Sequence, residues 1–515
     1  MNSNRDFGSR SRRSRRGKRG RGALWAACAV ALLAAASIVV LQRTRPPHAS
    51  APLAVTSPAP SPTPRPQPWT REQIARLRSA LTSAFAPALA GARHWSLCVV
   101  APDGRVLFDA NARTGVVPAS VEKLVVAFSA LDLLGARFRY DTRLIAIHPP
   151  DTSGTLGGDL WLQGSGDPSL RSTDLAAATE ALEREGVHRI AGGVLVDASA
   201  FRGPEINPYW NPDDADEDYQ APTSAISLDE DTVEFDVQGT TPGAAASVRM
   251  NPWSTELHAE DGITTVGAAQ TPSVIVAALD TPNRFGLTGW IPAGALDREW
   301  VPVHDIAHYA GVVLTQILRE RSIQVASGPG IGVVPQQATV LWEHRSASLR
   351  ELLRHMLYFS DNHYAEQLMR TLGLLEENAG DDAHGLSVEA LDLRRRGIPA
   401  PGMHLVDGSG LASANRLCAL TMASLLARAL GLQEERGFYD LLPQGGRSGT
   451  LKGYDFSSAL GRVRAKTGHL TGVAALAGYV VSRRHGTVAF AFVIDGSTGN
   501  PDGAMVHAVD RISEF

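Results

Sequence analysis

Residues 118–128 read Pro118-Ala119-Ser120-Val121-Glu122-Lys123-Leu124-Val125-Val126-Ala127-Phe128, and this stretch constrains the fold more than any other. Proline favours the first turn of a helix, and the apolar run after Lys123 is typical of a buried helix. Ser120 then lies in the opening turn, with Lys123 three residues later over the same face. An alcohol needs an adjacent base to become a nucleophile, and a desolvated lysine can lose its proton, whereas arginine cannot. The pair predicts a serine nucleophile with a lysine base, although S-x-x-K alone also arises by chance.

The use of lysine in this chain indicates special roles for two positions. Arginine supplies nearly all of the 49 basic residues, and the lysines are Lys18, Lys123, Lys452 and Lys466. Two of the three lysines beyond the N-terminal tail fall within short motifs. A position that needed only positive charge would be arginine in such a chain. Positions 123 and 466 are therefore expected to need lysine in particular.

A second motif, Ser360-Asp361-Asn362, follows an apolar helical pattern and precedes a helix that begins near Tyr364. The Ser360 hydroxyl is suited to relay a proton between Lys123 and a leaving amine. The Asn362 amide can both donate to and accept from a peptide backbone. Ser, Asp and Asn are also the preferred N-caps of helices, so a structural cap is the simpler interpretation of this motif by itself.

A third motif, Lys466-Thr467-Gly468, is followed by His469 in a pattern typical of a strand. Glycine within a strand lets another backbone approach closely. A peptide can pair with the edge of such a strand, with Lys466 and Thr467 binding its terminal carboxylate. The backbone N–H groups of Ser120 and His469 are candidates for an oxyanion hole. Taken alone, K-T-G also fits an ordinary strand.

Together, the three motifs resemble the S-x-x-K, S-D-N and K-T-G set of penicillin-binding proteins and class A β-lactamases. From residue 70 onward the chain is similar to the DacB-like D-Ala-D-Ala carboxypeptidase/endopeptidase family of class C, low-molecular-mass penicillin-binding proteins. The motifs are 240 and 106 residues apart, which fits that family because its members carry a large insert between the first two motifs. Further stretches that carry the resemblance are Gly164-Ser165-Gly166-Asp167-Pro168-Ser169-Leu170, Asp407-Gly408-Ser409-Gly410-Leu411 with Asn415-Arg416, and Gly449-Thr450-Leu451.

The resemblance implies both a fold and an activity. The fold is α/β, a β-lactamase/transpeptidase-like serine acyl-transferase domain split by a large β-rich insert. The activity is hydrolysis of D-Ala-D-Ala bonds in peptidoglycan stem peptides, as a carboxypeptidase, an endopeptidase or both, with no metal or cofactor. β-Lactam antibiotics are the expected covalent inhibitors. The implied catalytic residues are Ser120, Lys123, Ser360, Asn362 and Lys466, and the implied substrate-binding residues are Thr467, Gly468, His469 and Asp214.

Asp214 and His469 are counted among the substrate-binding residues because of their positions in the sequence. Asp214 lies in an acidic loop before Ala221-Pro222, where relatives use an aspartate of the insert to read the amine of the third stem residue. A solvated acidic loop or a cation site is the alternative for Asp214. His469 departs from the small hydroxyl residues that are commoner in relatives. Only its backbone N–H is needed, so its side chain is the part free to alter pH dependence or substrate choice.

Two other functions stay open. A catalytically idle peptidoglycan-binding scaffold would keep the fold, although intact motifs argue against it. A β-lactamase is too short to hold the insert, and no Glu-x-x-Leu-Asn follows the second motif. The chain also lacks H-E-x-x-H, C-x-x-C, G-x-x-x-x-G-K and G-x-S-x-G patterns, which leaves zinc, phosphate-loop and α/β-hydrolase interpretations without support. The sequence does not indicate an oligomeric state.

The charge of the chain is divided unevenly. Residues 1–45 hold eleven of the 49 basic residues and one of the 53 acidic ones, so the remainder carries a net charge of −14. A fold with this charge is expected to repel nucleic acid. The three cysteines, at positions 28, 98 and 418, lie in apolar contexts that predict buried thiols rather than a disulfide framework.

Changes in composition divide the chain into six segments. The uncharged apolar run 23–41 would span about 28 Å as a helix, enough to cross a bilayer. Nine basic residues before it and two after it predict that everything beyond residue 42 lies outside the cytoplasm. Cleavage at its small residues would instead release a secreted protein. The expected segments are a cytoplasmic basic tail (1–22), a transmembrane anchor or signal core (23–41), a Pro-rich linker (42–68), a first transpeptidase-like part (69–140), one or more inserted β-rich domains (141–340) and a second transpeptidase-like part (341–515).

Overall fold

A computed structural model describes residues 66–279, 281–431 and 437–515. The helices in these ranges are α1 Arg71–Leu89, α2 Lys123–Leu134, α3 Ser172–Arg184, α4 Ile306–Glu320, α5 Leu349–Phe359, α6 Asn362–Glu377, α7 Asp382–Arg395, α8 Ala419–Gly431, α9 Phe438–Leu441 and α10 Pro501–Ser513. The strands are β1 His94–Val100, β2 Val106–Ala110, β3 Asp141–Ala146, β4 Thr155–Leu156, β5 Leu160–Gln163, β6 Arg189–Ile190, β7 Val194–Asp197, β8 Thr232–Gln238, β9 Ser247–Asn251, β10 His258–Val266, β11 Ser273–Ala278, β12 Arg284–Pro292, β13 Leu296–Pro302, β14 Gln324–Val325, β15 Gly330–Ile331, β16 Thr339–Arg345, β17 Val463–Leu470, β18 Val473–Ser482 and β19 Gly486–Asp495.

The first helix begins at a capped N-terminus. Thr70 and Gln73 make a reciprocal capping box, in which the Thr70 hydroxyl accepts from the Gln73 N–H at 3.2 Å and the Gln73 side chain accepts from the Thr70 N–H at 2.9 Å. Leu77, Leu81 and Phe85 recur every four residues and are buried, as expected for one helical face. Strands β1 and β2 follow as a hairpin and pair antiparallel.

The main sheet combines strands from distant parts of the chain. Its five antiparallel strands have the order β17-β18-β19-β1-β2, so the first and last parts of the described chain build one sheet. Side chains alternate along β19: Phe490 and Phe492 pack with α1 and α10, while Ala489 and Ala491 pack with α2 and α8. The expected α/β domain split in sequence is confirmed.

The residues between the two halves form a separate, strand-rich core. A mixed five-stranded sheet has the order β15-β7-β5-β3-β16, and three small sheets have the orders β14-β6-β4, β13-β8-β9 and β10-β12-β11. Buried side chains from Leu144 to Ile323 form one hydrophobic cluster that also includes α3 and α4. The last strand of the five-stranded sheet, β16, ends at Arg345. The domain limits at 69, 140 and 340 remain predictions.

The membrane segment predicted from the sequence lies outside the described residues, as do the basic tail and most of the linker. Within residues 66–279, 281–431 and 437–515, no helix is both long enough and apolar enough to cross a membrane.

The contact between Phe85 and Phe492 joins α1 to the main sheet, with ring centroids 4.9 Å apart in an edge-to-face arrangement. We expect Phe492→Ala to destabilise the protein by about 3–5 kcal/mol, because it leaves a cavity between the sheet and α1. Denaturant unfolding measures the change. Leu296→Ala, at a residue that is 54% exposed, is the control and should stay within about 0.5 kcal/mol of the unsubstituted protein. Equal effects of the two substitutions would contradict this account of the core.

Candidate active site

The first motif forms a tight turn at the start of a buried helix. Ala119–Glu122 is a single 3₁₀ turn that leads into α2 at Lys123. Ala119 has a φ of 50°, a left-handed conformation that costs energy for a residue with a side chain. Ser120 remains partly exposed, whereas Lys123 is fully buried. The candidate nucleophile is therefore accessible, and the candidate base lies beneath it.

The side-chain nitrogen of Lys123 has three close partners. Its Nζ lies 3.1 Å from Ser120 Oγ, 2.6 Å from Asn362 Oδ1 and 2.6 Å from the carbonyl oxygen of Ser409. Burial lowers the pKa of Lys123 to about 8, although the negative charges of buried acids such as Asp407 oppose this shift. A lysine with this pKa is partly neutral near pH 8, which is the state that a base requires.

The second motif joins two helices. Ser360 ends α5 with a φ of 64°, and Asp361 is the N-cap of α6, where its side chain accepts from the Tyr364 N–H at 3.1 Å. Asp361 therefore takes the capping role considered for this motif. Asn362 opens α6 and donates from Nδ2 to the Tyr219 carbonyl at 2.8 Å, while its Oδ1 contacts Lys123.

The third motif contributes a second buried lysine. Lys466 Nζ donates to Ser360 Oγ at 2.8 Å and to the Thr467 carbonyl at 2.6 Å. Burial lowers the pKa of Lys466 well below its ordinary value, and the charge of Lys123 lowers it further. Within the second motif, Ser360 therefore contacts Lys466, and Asn362 contacts Lys123.

The strand that carries the third motif packs directly against the turn that carries Ser120. Strand β17 is at the edge of the main sheet, and a Cβ added at Gly468 would lie 3.0 Å from the Ser120 nitrogen and 3.1 Å from the Pro118 carbonyl oxygen. A side chain at this position would push the strand away from the turn. The Thr467 hydroxyl donates to Thr450 Oγ1 at 2.8 Å. Thr450 belongs to the Gly449-Thr450-Leu451 stretch that carries the sequence resemblance.

His469 directs its side chain away from the two lysines. Its Nε2 lies 2.9 Å from Asp502 Oδ1, in the first turn of α10, and the Tyr454 hydroxyl donates to the same oxygen at 3.0 Å. Burial would raise the pKa of Asp502, but the hydrogen bond and charge of His469 lower it. The imidazole is thus held at the C-terminal end of β17, beside the start of α10.

Asp214 lies in an acidic loop, and among the described residues no hydrogen bond joins it to the two lysines or to Ser120. It is in a 3₁₀ turn, Pro212–Asp214, and its Oδ2 accepts from Asn211 Nδ2 at 3.0 Å. Its connection to the site runs through Tyr219, whose carbonyl accepts from Asn362. Burial raises the pKa of Tyr219, and the carboxylate of Asp214 raises it further. The structure thus places Asp214 beside the site rather than within it.

Sequence reasoning missed two contributors to the site. Ser409 offers a backbone carbonyl to Lys123, and Glu366 accepts from the Ser409 N–H at 2.9 Å. Glu366 follows Asn362 by four residues on α6, so helical spacing placed both on one face. The stretch that contains Ser409 was noted only for its resemblance to relatives, because a backbone carbonyl has no sequence signature.

One group of side chains in the described residues has the spacing of metal ligands. Glu230, His355 and Asp361 bring one ligand atom each within 4.8 Å of the others. Glu230 is ion-paired with Arg171, and Asp361 caps α6 and contacts His355 at 3.1 Å. These groups already bind within the protein, and none of them is a candidate nucleophile or base.

Comparisons with known proteins agree with this geometry. The model of the D-Ala-D-Ala carboxypeptidase 3 (S13) family matches residues 77–513. A D-alanyl-D-alanine carboxypeptidase of Actinomadura sp. (strain R39) is 32% identical over 450 residues, which cover 83% of this chain and 82% of the relative. The D-alanyl-D-alanine carboxypeptidase DacB of Haemophilus influenzae is 27% identical over 410 residues, covering 77% of this chain and 84% of the relative.

A solved structure supports the fold. The crystal structure of penicillin binding protein 4 (dacB) from Haemophilus influenzae superposes with a TM-score of 0.74 at 23% identity, covering 84% of this chain and 99% of that one. The β-lactamase/transpeptidase-like fold expected from the sequence is confirmed. With the family model matching most of its length, the chain belongs to the D-Ala-D-Ala carboxypeptidase 3 (S13) family.

Proposed function

We propose that this chain hydrolyses D-Ala-D-Ala bonds of peptidoglycan stem peptides through an acyl-enzyme on Ser120. One observation carries the proposal: Ser120 Oγ lies 3.1 Å from the Nζ of a fully buried lysine, Lys123. Membership of the S13 family supports the substrate class. The proposal covers both the terminal bond that a carboxypeptidase cleaves and the cross-link bond that an endopeptidase cleaves.

The partners of Lys123 orient it as a base. A neutral amine has two hydrogens and one lone pair, and the oxygens of Asn362 and Ser409 can only accept hydrogen bonds. With each of these oxygens 2.6 Å from Nζ, both hydrogens are engaged and the lone pair is directed at Ser120. Lys123 then takes the Ser120 proton as Oγ attacks the penultimate D-Ala carbonyl carbon.

Release of the leaving amine needs a proton, and the one that Lys123 took from Ser120 supplies it. Ser360 is suited to pass that proton on to the amine, with its Oγ held 2.8 Å from Lys466 Nζ. Lys466 and Thr467 hold the substrate carboxylate, and Asn362 orients the peptide backbone. Water then attacks the acyl-enzyme, which frees the shortened peptide and restores the Ser120 hydroxyl.

The edge of β17 is suited to bind the extended peptide. Residues 443–445 pair with the start of β17, so a substrate strand would pair with the edge beyond Ala465, where Gly468 keeps the strand close to Ser120. The N–H groups of Ser120 and His469 would stabilise the oxyanion of the tetrahedral intermediate. We assign Asp214 to the amine of the third stem residue, since its loop reaches the site through Tyr219 and Asn362. β-Lactams would acylate the same serine.

The proposed place of action is outside the cytoplasm, where peptidoglycan is built. Relatives are named D-alanyl-D-alanine carboxypeptidases, and the basic residues before the apolar run 23–41 favour export of the remainder. We propose that this run is retained as a single membrane anchor and that the Pro-rich linker separates it from the catalytic part. Signal cleavage with secretion is the alternative.

Benzylpenicillin labelling tests the nucleophile. We expect intact-mass spectrometry to find one adduct per purified full-length chain, with peptide mapping placing it on Ser120. Ser120→Ala should abolish the adduct and D-Ala release from stem peptides, because no other hydroxyl contacts Lys123 among the described residues. Ser227→Ala, at a buried serine bonded to His363, is the control and should keep the adduct. A folded protein without an adduct would favour the idle scaffold instead.

The pH dependence tests the base. Because burial lowers the pKa of Lys123 to about 8, the acylation rate should rise with pH, reach half its maximum near pH 8 and then level off. Lys123→Arg keeps the charge but cannot lose a proton, so acylation should fall by about 100- to 10,000-fold. Stopped-flow mixing with benzylpenicillin measures the acylation rate both across the pH range and in Lys123→Arg. An active Lys123→Arg protein would remove the general-base assignment.

Fractionation of expressing bacteria tests the anchor. We expect the full-length chain in the membrane pellet after carbonate washing, with an intact mass that still includes residues 1–22. A chain lacking residues 1–41 should leave the pellet, since the apolar run supplies the attachment. If cells that express the full-length gene instead release a soluble chain that starts after residue 34, the apolar run is a signal that has been cleaved.

A further inference from the structure

The turn of residues 407–410, which touches the catalytic lysine, is held by two buried carboxylates. Asp407 accepts from the Gly410 N–H at 2.8 Å and the Ala412 N–H at 2.7 Å, and also from Asn415 Nδ2 and Trp210 Nε1. Glu366 on α6 accepts from the N–H groups of Gly408 at 3.1 Å and Ser409 at 2.9 Å. The N–H groups of residues 408, 409 and 410 are therefore bound to acids.

The arrangement leaves the Ser409 carbonyl directed at Lys123. The peptide group between Ser409 and Gly410 donates its N–H to Asp407 and accepts from Lys123 Nζ at 2.6 Å through its oxygen. A hydrogen bond at one end of a peptide group strengthens the bond at the other. Gly410 has a φ of 78°, and an added Cβ would lie 2.1 Å from the Ala119 carbonyl oxygen. The 407–410 turn thus packs directly on the turn that carries Ser120.

We propose that Glu366 is a positioning residue for catalysis: by holding the 407–410 turn it fixes the Ser409 carbonyl, which in turn directs the Lys123 lone pair at Ser120. The inference rests on the proposed function, since it concerns the base of that reaction. Two oxygens accept from the Lys123 amine. Asn362 Oδ1 is on a side chain that also donates to the Tyr219 carbonyl. The Ser409 carbonyl belongs to the 407–410 turn, which is bound by Glu366 and Asp407.

The charge of Glu366 acts on the same lysine. Burial raises the pKa of Glu366 to about 8, with Asp407 and Asp382 adding to the shift. Glu366 therefore gains its charge over the range in which Lys123 loses its own, and a negative charge there raises the pKa of Lys123. The other charged or titratable groups acting on Lys123 are Asp407 in the turn, Asp361 before α6, Glu122 in the 3₁₀ turn and Lys466 on β17.

Two substitutions separate the hydrogen bonds of Glu366 from its charge. Glu366→Met fills similar space but accepts nothing, so the turn loses its anchor and the plateau rate of benzylpenicillin acylation should fall about 10-fold or more. Glu366→Gln keeps an oxygen that both N–H groups can reach, so its plateau should recover to within about threefold of the unsubstituted protein. Its half-maximal pH should move lower by about half a unit or more, because a negative charge near Lys123 is gone.

Glu389 on α7 provides the matched control. It is fully buried beside Glu366, neither of its oxygens has a hydrogen-bond partner among the described residues, and burial raises its pKa well above the ordinary range. Glu389→Met should acylate within about twofold of the unsubstituted full-length chain, with its half-maximal pH unchanged. The rates are followed by intact mass from pH 6 to 9, after thermal unfolding has shown each variant to be folded.

The outcomes distinguish this inference from the proposed function. If the unsubstituted chain forms no adduct, both are overturned. If the unsubstituted chain forms the adduct and Glu366→Met has the same plateau acylation rate as Glu389→Met, only the role of Glu366 is overturned. A plateau for Glu366→Gln as low as that of Glu366→Met also overturns it, because the amide oxygen would still accept from both N–H groups. Should Glu366→Met not fold, Glu366→Asp decides: its shorter side chain keeps the charge but withdraws the oxygens from the two N–H groups, so its plateau should fall, and an unchanged plateau overturns the proposal.

Discussion

The exclusion of water from the Lys123 side chain is the constraint on which the rest of the site depends. Moving an ammonium group out of water costs several kcal/mol unless it is well compensated, so burial favours the neutral amine. The residues after Lys123 on α2 are apolar and buried, and small alanines on the facing side of the main sheet let that helix region pack closely. The Lys123 amine thus becomes a candidate base near pH 8 because of how its surroundings pack.

The same region contains more buried charge than one lysine. Lys466 lies close enough to Lys123 that each opposes protonation of the other, and burial acts on both in the same direction. Buried acids near the site instead raise the pKa of Lys123 and so favour its protonated form. Burial raises the pKa of Glu122 and Glu389 well above the ordinary range, and Asp407 accepts four hydrogen bonds from its neighbours. The protonation of Lys123 reflects a balance between these neighbours.

Sequence reasoning succeeded where a local pattern carries the information. The capped helix before the first strand, the hairpin and the three motifs each have a signature within a few residues, and the contact between Ser120 and Lys123 was expected from their spacing. The contribution of Ser409 was not, because every residue offers a carbonyl and only the fold decides which one meets an amine. The orientation of His469 toward Asp502 also depends on how α10 packs, which no motif encodes.

The split of the main sheet has a consequence for how the protein matures. Lys123 meets Asn362 and Ser409 across 239 and 286 residues, and β1 pairs with β19 near the end of the described chain. Contacts of such sequence separation form late, since loop closure must precede them. Translation delivers the nucleophile long before β19, so a nascent chain carries an unassembled serine until nearly all of it has emerged. Acyl transfer is thereby tied to completion of synthesis, and premature termination before β17 yields a chain without a site rather than a weakened enzyme.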